Sequence, residues 1–81
     1  MEYDYSKLRG KIKEKFGTQI NFAKAMGMTE PTLSLKLNNK GEWSQEEMTL
    51  ALDLLGESLA VVDSYFFTHK DVARRLLEVD I

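Results

Sequence analysis

The segment from Thr18 to Asn39, TQINFAKAMGMTEPTLSLKLNN, leaves this chain few ways to fold. At helical spacing it places Phe22, Ala23 and Met26 on one apolar face before Gly27, and Leu33 and Leu37 on another after it. The small Ala23 lets a neighbouring helix cross closely. Gly27 stands where the first helix must stop and the backbone needs a positive φ, which glycine adopts without steric cost. Two short helices about a tight turn are the footprint of a helix-turn-helix, a unit that presents its second helix to DNA. The expected fold is all-α, a bundle of four to six short helices.

The rest of the 81 residues supports that bundle as a single domain spanning 1–81, too short to be stable unless its helices pack efficiently. Leu8, Ile12 and Phe16 recur every four residues, so a helix from about Tyr5 to Lys15 is predicted, with Asp4 or Ser6 to cap it and Gly17 to end it. Thr18 is the expected cap of the second helix, and Met28 is placed to staple onto Leu33 of the third, about Glu30 to Asn38. The helix-turn-helix thus occupies about residues 18–39. Asn39, Lys40 and Gly41 form a loop. Ser44-Gln45-Glu46-Glu47 then has the pattern of a capping box, opening a helix that buries Met48, Ala51, Leu52 and Leu55 and turns Leu50 and Leu54 to its other side. C-terminal helices are expected at about 44–55, 58–67 and 69–79, although in Leu59 to Phe67 helix and strand compete. The last would use Val72, Ala73, Leu76 and Leu77, and Trp43 is expected to pack on the core.

Charge is unevenly spread. Residues 1–40 hold eight basic side chains against four acidic ones, whereas residues 41–81 hold three against nine, so one end can face phosphate while the other repels it. No cysteine is present and no run approaches the roughly 18 apolar residues of a membrane span, so a cytoplasmic protein is expected. His69 is the single histidine, and the carboxylates are scattered along predicted solvated faces. With no nucleophile beside a base, no glycine-rich phosphate loop and no metal-ligand spacing, neither an enzyme nor a cofactor is expected.

The block DYSKLRGKIKEKFGTQINFAKAMGMTEPTLSLKLNNK, Asp4 to Lys40, resembles the short Cro-like and repressor-like helix-turn-helix proteins of temperate phages and prophages of Gram-positive bacteria, within the lambda-repressor-like class. The likeness extends to the cluster Tyr65 to Phe67 but not to the last dozen residues. It implies a transcriptional regulator without catalysis, usually a homodimer on a two-fold-symmetric double-stranded DNA operator. It also implies that Gln19 holds a phosphate and buttresses the recognition helix. Thr29, Glu30, Pro31, Ser34 and Leu35 would face the groove, and Asn38, Asn39 and Lys40 would lie near the DNA backbone.

The spacing agrees with that division. With Leu33 and Leu37 inward, positions 30, 31, 34, 35 and 38 point away from the core. Ser34 leaves room for a base pair, and Leu35 can pack on a thymine methyl. Thr32 completes the reading surface, and Lys36 and Lys40 would bind phosphate on any sequence. Glu30-Pro31 departs from the pattern: glutamate repels phosphate and donates no hydrogen bond, and proline supplies no amide hydrogen to an anion. Glu30 would either accept from a cytosine amino group or mark a chain that no longer relies on DNA. Two functions therefore follow. The first is a sequence-specific DNA-binding regulator of Cro or repressor type. The second is a protein-interaction module, an antirepressor or co-regulator, that keeps the fold and grips a partner such as another phage regulator. It would use its acidic C-terminal half or the apolar Leu50, Leu54, Val61, Val62 and Phe66. The same five residues are the candidates for a homodimer seam.

Overall fold

The computed structural model describes residues 2–69, and the helix expected at about 69–79 lies outside them except for its first residue. Five α-helices follow one another: α1 (Ser6–Phe16), α2 (Gln19–Met26), α3 (Glu30–Leu37), α4 (Gln45–Leu54) and α5 (Val62–Phe66), the last entered through a 3-10 turn at Leu59–Val61. The protein is a small all-α bundle, as the periodicity requires. Among the described residues, extended pairing is limited to one antiparallel bridge between Tyr3 and His69.

Each boundary has a local cause. Asp4 accepts from the Ser6 amide and hydroxyl at 2.9 and 2.6 Å, which satisfies an amide at the start of α1. Thr18 caps α2 by accepting from the Asn21 amide, and the Asn21 side chain reaches back to the Phe16 carbonyl, tying the end of α1 to the start of α2. Gly27 has φ 74°, and the Met28 amide then closes on the Ala23 carbonyl at 3.0 Å. That left-handed stop turns the chain sharply into α3. Thr29, and not Glu30, caps α3, so Pro31 sits in its first turn, where a missing amide costs no helical hydrogen bond. Ser44 and Glu47 form the reciprocal capping box that opens α4.

The buried faces meet in one core of Leu8 and Ile12 from α1, Phe22, Ala23 and Met26 from α2, Leu33 and Leu37 from α3, Ala51, Leu52 and Leu55 around α4, and Tyr65 and Phe66 from α5. Trp43 packs edge-on against Phe66 at 5.0 Å, and Met28 is half-buried beside the core. The helix expected at about 58–67 is present over 59–66, but it is split into a 3-10 turn and a short helix. No helix among the described residues is long and apolar enough to cross a membrane.

Candidate functional site

A groove of about 750 Å³ runs between the N-terminal segment and the outer face of α3. It gathers Glu30, Pro31, Ser34, Leu35, Asn38, Asn39 and Lys40 of the predicted reading surface; Gln19, Thr29, Thr32 and Lys36 lie outside it. Gln19 opens α2 and is half-buried. Pro31 is exposed, and Leu35 is 50 % exposed.

The polar groups predicted to meet DNA are largely engaged within the chain. At the front of α3, the Thr29 hydroxyl accepts from the Thr32 amide at 3.3 Å and donates to the Thr32 hydroxyl at 2.9 Å. Pro31 has no amide hydrogen, so of the first three positions of the helix only the Glu30 amide is left for an anion, beside the Glu30 carboxylate. At the far end, the Asn38 side chain donates to the Ser34 carbonyl at 2.8 Å and accepts from Arg9, whose guanidinium also donates to the Leu37 carbonyl at 2.9 Å. Arg9 thereby neutralises the carbonyl end of α3 instead of facing outward. Asn39 is bound twice to the Tyr3 backbone, 2.9 Å in each direction.

Lys36 is turned to the other side. Its ammonium lies 3.1 Å from the Glu47 carboxylate, donates to the Glu42 carbonyl and stands 6.0 Å over the Trp43 ring. Burial alone would raise the Glu47 carboxyl, but the Ser44 amide and Lys36 outweigh it and hold the group below the ordinary glutamate range. Two lysines of α1 are engaged elsewhere in the chain: Lys11 pairs with Glu57 at 3.1 Å, and Lys7 stands 5.0 Å over the Tyr65 ring. Among the described residues the groove along α3 is lined by Glu2, Asp4 and Glu30 and by two cations, Arg9, which is held by carbonyls, and Lys40, which is exposed.

The residues that sequence reasoning missed are Arg9 and Tyr3, which act across 28 and 36 positions of chain. Periodicity carries no signal for such pairings. Of the proposed partner-gripping or dimer-forming set, Leu50 is 39 % exposed, Leu54, Val61 and Val62 are half-buried against the core, and Phe66 is 1 % exposed within it. Among the described residues no cluster of side chains is fit to hold a metal ion.

A small all-α bundle, with the polar groups of α3 largely engaged within the chain, is the class that fold and site define. By sequence, the chain belongs to the family described as "Protein of unknown function (DUF739)", whose model matches residues 1–69. Among solved structures it is similar to the solution structure of the modulator of repression (MOR) of the temperate bacteriophage TP901-1 from Lactococcus lactis. The identity is 52 %, with a TM-score of 0.73, over 83 % of this chain and 90 % of that one. No curated protein matches significantly. The likeness is thus to a regulatory protein of a temperate phage, one named for modulating repression and not for exerting it. Together with the spent polar groups of α3, this overturns the expectation of a sequence-specific DNA-binding regulator of Cro or repressor type.

Proposed function

We propose that this chain is a protein-interaction module that modulates repression by binding another phage regulator, the helix-turn-helix serving as a scaffold. The observation that carries the reading is the 52 % identity, over 83 % of this chain and 90 % of the other, to a phage modulator of repression. The engaged Thr29, Lys36, Asn38 and Asn39 supply its physical side. What α3 still offers outward is apolar and acidic: Pro31 and Leu35, flanked by Glu30. Such a surface suits a protein partner, where burying the exposed half of Leu35 contributes about 1 kcal/mol. The role involves no catalytic step and belongs in the cytoplasm, where a repressor works.

Calorimetric titration of the purified chain with the repressor of the same phage tests the reading. A stoichiometric complex weakened at least about tenfold by Leu35→Glu, a change at an exposed position, is the expected result. No complex with the repressor at micromolar concentrations would contradict it.

A further inference from the structure

We infer that a second face, built by α4 and the start of the 3-10 turn, docks a cationic amphipathic helix of a protein partner. It shares no residue with the groove along α3, and the inference goes beyond the modulator reading. The groove holds about 660 Å³. Its floor is the buried Leu52, and its apolar walls are Leu50, 39 % exposed, and Leu59, 57 % exposed. Glu46, Asp53 and Glu57 rim it, and among the described residues no lysine or arginine lines it.

The charges on this rim are not alike. Glu57 is matched by Lys11 at 3.1 Å and accepts from the Tyr65 hydroxyl at 3.3 Å, and the Lys11 hydrogen bond holds its carboxyl below the ordinary range. Glu46 and Asp53 are exposed and pair with no cation among the described residues. Asp53 is also one residue from the end of α4, whose last turn carries no basic side chain. A carboxylate at the carbonyl end of a helix opposes the helix dipole, an unfavourable arrangement that a cation from outside relieves.

Apolar walls with unmatched negative charge at both ends fit a helix that presents leucine-like side chains on one stripe and lysine or arginine beside it. The same charges argue against a second copy of this chain. Two-fold pairing would set Glu46 and Asp53 against the identical patch of the partner. Charge complementarity therefore selects a basic occupant, and salt should weaken its binding.

The test uses the full chain labelled with ¹⁵N and two synthetic peptides of one composition. One is an amphipathic helix of leucine and lysine, and the other is its scrambled counterpart. The amphipathic peptide is expected to move amide resonances around Leu50, Asp53 and Leu59, and to bind more weakly as salt rises. Leu50→Glu should weaken it by about tenfold, and Asp53→Lys by several-fold with a flatter salt dependence. Both positions are exposed, so an unchanged far-ultraviolet spectrum is expected for either variant. Equal binding of the scrambled peptide, shifts confined to α3, or indifference to Leu50→Glu would each overturn the inference. So would a concentration-dependent dimer that Leu50→Glu dissolves, which would give the face to a second copy. Shifts at Leu50 caused by Arg74→Glu with Arg75→Glu in the free chain would overturn it too, giving the face to residues 70–81.

Discussion

The carboxamide of Asn39 holds the peptide unit of Tyr3 from both sides, accepting its amide and donating to its carbonyl at 2.9 Å each. A side chain thus does what a neighbouring strand would do, and it fastens the N-terminal segment against the end of α3. Asn39 manages this from φ 61°, a left-handed conformation that asparagine tolerates better than other side chains.

That geometry separates two contributions. Asn39→Gly keeps the backbone conformation and loses both hydrogen bonds, whereas Asn39→Ala loses the bonds and strains the backbone as well. Thermal unfolding should rank the native chain above Asn39→Gly and Asn39→Gly above Asn39→Ala. Steps of about 1–2 kcal/mol are expected for the bonds and about 1 kcal/mol for the strain. An alanine variant as stable as the glycine one would show that the conformation costs nothing.

The Lys36–Glu47 pair makes stability depend on pH. Because the folded carboxyl sits below its ordinary range, its contribution is complete above the unfolded pKa and is lost as pH falls through the folded one. The pair is partly exposed, so the contribution is at most about 1 kcal/mol. Lys36→Met should flatten the acid limb of melting temperature against pH below the ordinary glutamate range. An unchanged limb would mean that Glu47 is held by the Ser44 amide alone.

Ser44→Ala removes the oxygen that accepts from the Glu47 amide at 3.1 Å and breaks the capping box. A loss of about 1 kcal/mol is expected, read as a lower denaturant midpoint at constant slope. Ser44→Gly should cost less, since glycine is itself an acceptable cap.

Phe66 and Leu50, both candidates for one seam by sequence, should part company on truncation. Phe66→Ala empties a site 1 % exposed and should cost about 3–5 kcal/mol, while Leu50→Ala should stay within about 0.5 kcal/mol. Comparable losses at the two positions would mean that Leu50 is covered in solution.

The helices were legible because their signals are local. Leu8 and Ile12, Phe22 to Met26, Leu33 and Leu37 announce their faces by spacing, and Gly27, Thr18 and Ser44 announce the boundaries by backbone conformation and caps. Seen from sequence alone, the outer face of α3 points outward and looks available to DNA. The same view hides that Arg9 crosses to Asn38, that Tyr3 occupies Asn39 and that Lys36 folds back onto Glu47. Those partners lie up to 36 residues away and depend on how the bundle closes. Only Glu30-Pro31, a local departure, warned that the start of this helix offers little to an anion. The split of 59–67 into a 3-10 turn and a short helix was likewise invisible to a periodicity that needs longer runs.

The most direct test of the central claim follows the fluorescence anisotropy of a labelled operator duplex in two titrations. In one, this chain is added alone across a salt series. In the other, it is added to the duplex already bound by the partner repressor. The account predicts no saturable, sequence-selective binding by the chain alone and a dose-dependent change in the repressor's occupancy of the duplex, lost in Leu35→Glu. Tight, sequence-selective and steeply salt-dependent binding by the chain itself, with the repressor's occupancy unaffected, would contradict it.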